Sequence, residues 1–268
     1  VTTDASIVVP FLDVEVTPLT AAEVVDRVLE PAMSPTLILN HNLHSVYMFH
    51  THDWYRDLYS HASSILIDGW PVLQATRLSS DRRLRSDHRI GSTDWIDHLV
   101  SAAAASGREF RIFLLGTTPE VNERARRSLV SKAPTLVVDG VDGFFGQEGA
   151  AAVVESIRSF GPDLVLIGMG MPRQERFLSQ ALPHLPAAHY ATVGGAIDFV
   201  GGAQRLAPRA FGRLGVEWLW RLLHDPKRLA GRYLVEPFRL GRVLAVRAAR
   251  RRRDGAAAKV VDSSDPTS

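Results

Sequence analysis

Six short apolar runs, separated by longer amphipathic stretches, constrain this chain more than any other feature. They are "TLILN" (Thr36–Asn40), "SILI" (Ser64–Ile67), "EFRIFLLG" (Glu109–Gly116), the start of "TLVVDGVDGFF" (Thr135–Phe145), "DLVLIGMG" (Asp163–Gly170) and "HYATVGG" (His189–Gly195). Runs of this length suit buried strands, and the stretches between them suit helices. The pattern therefore predicts an α/β fold, a mostly parallel sheet with helices on both faces. Helices are expected over Leu43–Ala62, over part of Asp94–Ser106, from near Pro119 onward, over 148–159 and along "QERFLSQALPHL". In such sheets ligands bind outside the carboxyl ends of the strands. Asn40, Asp68, Gly116, Gly168 and Gly194 all stand at predicted strand ends, so the fold gathers them along one edge.

Charge divides the chain. Residues 1–204 hold 16 Lys/Arg and 23 Asp/Glu, a net −7; residues 205–253 hold 14 and 3, a net +11. We read 1–204 as the catalytic body, 205–253 as a basic amphipathic helical appendage broken at Pro226 and Pro237, and the small, polar 254–268 as a disordered tail. In the appendage arginines alternate with Trp218, Trp220, Tyr233 and Phe238, as in an interfacial helix on anionic lipid. RNA is the lesser alternative, since no RRM or KH signature accompanies the arginines. The chain has no cysteine, which removes disulfides and thiolate metal sites and suits a reducing compartment. Val1–Glu30 lacks a signal-peptide pattern, and no apolar stretch reaches the roughly 20 residues that cross a bilayer.

The apolar run before Asp68 ends in "IDGWP", which a turn would explain. A carboxylate at a strand tip is also placed to act as a base. "GMGMPRQERF" is no dinucleotide fingerprint, because Arg173 stands where a third glycine belongs. Gly168 and Gly170 instead offer bare backbone before a helix, suited to phosphate or sugar hydroxyls, and Gln174 and Glu175 in that helix's first turn either turn into the cleft or simply decorate the helix start. In "VGGAIDFVGG", Gly194 and Gly195 permit close ligand approach, and Asp198 is either a turn acid or an acceptor for a ribose or base. Asp142, beside Gly143, reads first as a turn. The clustered His41, His44, His50 and His52 show no metal-ligand spacing, and neither a nucleophile elbow nor a P-loop is present.

Taken together, "LNHN" (39–42), "IDG" (67–69), "RIGSTD" (89–94), "FLLG" (113–116), "DGFF" (142–145), "PDLVLIGMGMPRQE" (162–175), "VGGAIDF" (193–199) and "RAFGRLGVEWLWRLLHDPKRLAGRYL" (209–234) resemble the WecG/TagA/CpsF glycosyltransferases, family 26. The resemblance covers nearly all of residues 10–240. It implies a Rossmann-like body and C-terminal helices that dock on the cytoplasmic membrane face and help complete the active site. It also implies metal-independent, inverting transfer from a UDP-sugar to a polyprenyl-diphosphate-linked saccharide in cell-surface polysaccharide assembly. The sugar would be N-acetylmannosamine, its uronic acid or another hexose. No cofactor and no nucleic acid are implied, and homo-oligomerisation is left open.

By the same resemblance Asp68 is the general base, and Asn42, Arg89 and Gln174 bind substrate. Gly116, Gly168, Gly170, Gly194, Gly195 and Asp198 line the nucleotide site. Arg221 and Arg228 meet the diphosphate of either donor or acceptor. The sequence departs from the family near the expected sugar and acceptor sites. Asn40 replaces a threonine, His44 an acid, Trp70-Pro71 a glycine-rich turn, and Gly231 an arginine, with Arg232 beside it. Asn40 and Arg232 join the substrate-binding set on these grounds. The rival readings are a lipid- or RNA-binding protein with a vestigial pocket and, third, a nicotinamide oxidoreductase.

Overall fold

The computed structural model describes residues 6–146, 148–204, 217–224 and 226–262, with side chains except at 217, 218, 221, 224, 228 and 251–262. Six parallel strands form the central sheet: β3 (Thr36–His41), β4 (Ala62–Ile67), β5 (Phe110–Gly116), β6 (Leu136–Val141), β7 (Leu164–Gly168) and β8 (His189–Thr192). Their spatial order is β4-β3-β8-β7-β5-β6. Helices cover both faces. Along β5, Ile112 and Leu114 point into one core with α1 (Ala21–Leu29), α5 (Ser92–Ser106), α6 (Pro119–Lys132) and α9 (Ala196–Val200). Phe113 and Leu115 point into the other, with α3 (Asp53–Ser60), α7 (Gly149–Phe160) and α8 (Arg173–Ala181). The period of two along a strand buried on both faces explains why its sequence is an unbroken apolar run.

A third core has a different membership. It joins an antiparallel hairpin, β1 (Ile7–Val9) and β2 (Val14–Val16), to Val46 of α2 (Leu43–Thr51), Val72 and Leu73 of α4 (Trp70–Leu78), and Leu240. Leu240 belongs to the last helix, α12 (Glu236–Asp262), which follows α10 (Glu217–His224), α11 (Pro226–Ala230) and a π turn, Gly231–Val235. Leu240 and the partly buried Leu244 fasten the appendage to the body, aided by a 3.4 Å contact from Arg247 Nε to Asp13 Oδ2.

Three expectations change. The single helix expected over Leu43–Ala62 is two, because His52 is extended (φ −135°, ψ 116°) and Ala62 already opens β4. α2 divides its buried residues between two cores, Val46 on the hairpin and Met48 on the sheet, while α3 buries Tyr55, Leu58 and Tyr59 on the sheet. The break expected at Pro226 adjoins residue 225, which lies outside the described residues, but Pro237 stands second in α12, where a missing N–H is tolerated, and breaks nothing. That helix also runs to Asp262, past the boundary placed at Asp254. The start of the appendage, 205–216, and the last six residues of the tail lie outside the described residues.

Candidate active site

Asp68 follows the last residue of β4, and its N–H donates to the His41 carbonyl at the end of β3 (2.9 Å). Gly69 then takes φ +108°, a conformation that disfavours any side chain, and turns the chain into α4. The carboxylate is half-buried, and its Oδ2 accepts a hydrogen bond from Asn42 Nδ2 at 3.1 Å. Asn42 caps α2: its Oδ1 accepts from the Ser45 N–H at 3.1 Å, which fixes the orientation of the amide. Arg232 Nη2, from the appendage, donates to the same Oδ1 at 3.3 Å. One amide thus joins an acid from the body to a cation from the appendage. Ile90 N–H donates to the Ile67 carbonyl, so the preceding Arg89 flanks the Asp68 turn with its guanidinium 5.8 Å from the centre of the Trp70 ring.

The second half of the edge is a crest of bare backbone. A Cβ on Gly116 (φ +144°) would stand 2.4 Å from the Gly168 carbonyl oxygen, so the tips of β5 and β7 meet with no room for side chains. Thr117, next in the chain, has φ +59°, and its hydroxyl donates to Asp198 Oδ1. Positive φ at a β-branched residue is uncommon and marks local strain. Gly170 (φ +73°) and Gly194 (φ +53°) make further left-handed turns, and Gly195 precedes α9, which carries Asp198.

A buried polar chain ties the halves together. Asn40 Nδ2 donates to the Thr192 carbonyl at 2.6 Å, bridging β3 to β8. Tyr59 Oη donates to the Asn40 carbonyl at 2.6 Å. Gln174 is only 3% exposed; its Oε1 accepts from the Gly194 N–H at 3.1 Å, and its Nε2 donates to Glu175 Oε1 at 2.7 Å. Burial raises the Glu175 carboxyl to about 7, although the Gln174 hydrogen bond and Arg232 pull the other way. His41, stacked on Tyr59, is held neutral because burial lowers it to about 3.

The appendage closes over this edge and leaves a pocket of about 380 Å³ whose lining includes His44, Met171, Arg232, Glu236 and Arg239. His44 Nδ1 lies 2.7 Å from Glu236 Oε2, an acid of the appendage. The appendage also exposes Leu223, Leu234 and Phe238, none of which lines that pocket, the last 81% exposed. Among the described residues no helix is long and apolar enough to cross a membrane. None of them forms a cluster of three or more His, Asp or Glu placed to hold a metal ion.

Asn40, Asn42, Asp68, Arg89 and Arg232 therefore gather at the ends of β3 and β4. Gly116, Gly168, Gly170, Gly194, Gly195 and Asp198 gather beside them, at the ends of β5, β7 and β8. Gln174 points inward, with its amide spent on Gly194 and Glu175. The side chains of Arg221 and Arg228 lie outside the described residues. The sequence reading did not select Thr117 or Tyr59, and it left Glu175 between a cleft residue and an ordinary first-turn acid. Only Glu175 had a signal, its place in the first turn after a glycine-rich strand end.

The sequence profile described as "Glycosyl transferase WecG/TagA/CpsF family" matches residues 9–254. Curated relatives from Staphylococcus aureus strains MW2, NCTC 8325 / PS 47 and COL, each named N-acetylglucosaminyldiphosphoundecaprenol N-acetyl-beta-D-mannosaminyltransferase, are 33% identical over 181 residues. The match spans 67% of this chain and 68% of each relative.

Proposed function

Because the chain belongs to the WecG/TagA/CpsF family of glycosyl transferases, we propose that it moves a hexose from a UDP-sugar to a polyprenyl-diphosphate-linked saccharide. N-acetylmannosamine is the first donor sugar to try, since the Staphylococcus aureus relatives carry that sugar in their names. The observation that carries the proposal is the Asp68–Asn42–Arg232 linkage, which sets a carboxylate and a cation from two parts of the chain against one amide.

In this mechanism the acceptor hydroxyl oxygen attacks the anomeric carbon. Its proton passes to Asp68, and the bond to the β-phosphate breaks with its electron pair going to the leaving UDP. A single displacement of this kind inverts the anomeric centre. Asn42 Nδ2 holds one oxygen of Asp68 and leaves the other for the proton. Leaving-group charge needs preorganised donors and cations. The backbone around Gly116 and Gly170 and the guanidinium of Arg232 are our candidates, together with Arg221 and Arg228. No step calls for a metal.

Exposed Leu223, Leu234 and Phe238, with Lys227 and Arg242 also exposed, suit a helix lying on anionic lipid, where a lipid-linked acceptor would reside. We therefore place the enzyme peripherally, on the inner face of the plasma membrane. The test is UDP release in EDTA with a polyprenyl-diphosphate sugar as acceptor. Asp68→Asn should lower kcat by about 10²- to 10⁴-fold, the usual share of a general base, with UDP affinity little changed. Undiminished turnover in that variant would refute the base assignment.

A further inference from the structure

Among the carboxyls that the proposed chemistry does not use, one is buried beside the residues of the cleft. Glu175 is 1% exposed. Its Oε1 is the acceptor for Gln174 Nε2, and its Oε2 is buried without a hydrogen-bond partner among the described residues. Three ionisable groups face it. Tyr55 and Tyr59 of α3 are pushed above the ordinary phenol range, chiefly by burial and in part by the Glu175 charge; Arg232 of the appendage acts on Glu175 in the opposite sense. An acid this buried, with no ion pair among the described residues and no part in the proposed chemistry, needs another reason to be there.

We propose that Glu175 is a positioning residue: it locks the amide of Gln174 in one orientation and, through it, fixes the Gly194 turn on which the nucleotide diphosphate would rest. The two ends of a glutamine amide are nearly the same size but opposite in hydrogen-bonding sense. Flipped, Gln174 would aim its NH₂ at the Gly194 N–H, donor against donor, and the turn would lose its anchor. The Glu175 oxygen accepts from Nε2 and so excludes the flip. The turn has little slack, because a Cβ on Gly168 would meet the Gly194 carbonyl at 2.9 Å, and Gly195 leads directly into the helix that carries Asp198. An anchor lost at Gly194 would therefore be felt at the tip of β7 and at Asp198 together. The identity of the ligand rests on the glycosyltransferase reading; the hydrogen-bond chain does not.

The experiment compares the wild-type chain with Glu175→Leu, which keeps bulk but removes the acceptor, and Glu175→Gln, which keeps an acceptor oxygen. Amide exchange at Gly194 is followed without ligand. UDP affinity, donor KM and kcat are then measured. In Glu175→Leu, Gly194 should exchange roughly tenfold faster and the UDP Kd and donor KM should rise by a similar factor, the worth of about one anchoring hydrogen bond. Its kcat at saturating donor should change far less, and Glu175→Gln should restore most of what is lost. Wild-type exchange and affinity in Glu175→Leu would overturn the proposal, as would an equal loss in Glu175→Gln. If the Leu variant does not fold, Glu175→Gln still decides, since it must keep Gly194 protected. A wild-type chain that binds no UDP and transfers no sugar would refute the glycosyltransferase reading instead, and the exchange measurement would still judge Glu175.

Discussion

Replacing Glu175 with Gln also measures what a buried acid costs the fold. A glutamate in an unfolded chain titrates near 4.5; here burial brings the folded value to about 7. Between those values the native state holds a proton that the unfolded state has released, so stability falls as pH rises. The favourable contribution is complete below the unfolded value and is lost as pH climbs through the folded one. The two values differ by about 2.5 pH units, which at about 1.4 kcal/mol each amounts to roughly 3 kcal/mol. Glutamine does not titrate. The stability of Glu175→Gln relative to wild type should therefore climb by about 3 kcal/mol between roughly pH 4.5 and pH 8.5, a change of about 5–10 °C in relative Tm. His41 and His50 are both lowered by burial and run the other way, losing stability as pH falls. They are common to both proteins and cancel in the difference. Urea denaturation of the two proteins across that range reads it directly. A stability difference that stays flat with pH would show that the carboxyl is not held as a neutral acid, and the account of its burial would fail.

Three other outcomes follow from single contacts. Gly116→Ala puts a Cβ 2.4 Å from the Gly168 carbonyl at φ +144° and should cost about 3 kcal/mol or more, read as a lowered Tm; wild-type stability would mean the strand tips are not so close. Arg232→Lys keeps the charge but loses the planar fork that reaches Asn42, so kcat/KM should drop about tenfold, read by initial rates; an unchanged value would separate the appendage from the chemistry. Phe238→Asp, at a side chain that supports no core, should leave Tm nearly untouched while vesicle flotation on anionic lipid weakens roughly tenfold or more.

The sheet was legible because its strands are buried on both faces and read as unbroken apolar runs between amphipathic stretches. The hairpin was not, because "IVV" and "VEV" are three residues each and too short to stand out. The helix Trp70–Leu78 was hidden by its own start, since Asp-Gly-Trp-Pro reads as a turn and proline at the head of a helix looks the same as proline in a loop. Within the site, Asp68 announced itself as an acid closing an apolar run. Glu175 did not, because an acid in a first turn is ordinarily solvated. What buries this one includes Tyr55 and Tyr59, on a helix far away in the sequence. Thr117 offered no signal at all, since nothing in a β-branched residue suggests positive φ. The contact of Arg232 with Asn42 joins residues 190 apart, a distance no local pattern spans.

The division of charge acquires a geometric meaning once the appendage is seen in place. A body of net −7 is a poor receptor for a nucleotide diphosphate, and the +11 segment brings Arg232 and Arg239 to the side where the strands end. The same appendage has two working surfaces. Leu240 and Leu244 face the hairpin and α2, and the π turn just before this helix brings Arg232 to Asn42, while Phe238 and Leu234 face outward. On the proposed reading, lipid contact and completion of the site share one scaffold. The acceptor's diphosphate would then arrive from the surface on which the outward face rests. The two roles can be separated experimentally, because a short, water-soluble acceptor needs the cation but not the membrane. Phe238→Asp should impair transfer to a long-chain acceptor in vesicles and spare transfer to the short one, whereas Arg232→Lys should impair both. Equal sensitivity of the two acceptors to Phe238→Asp would mean that the outward face supports the site itself rather than lipid.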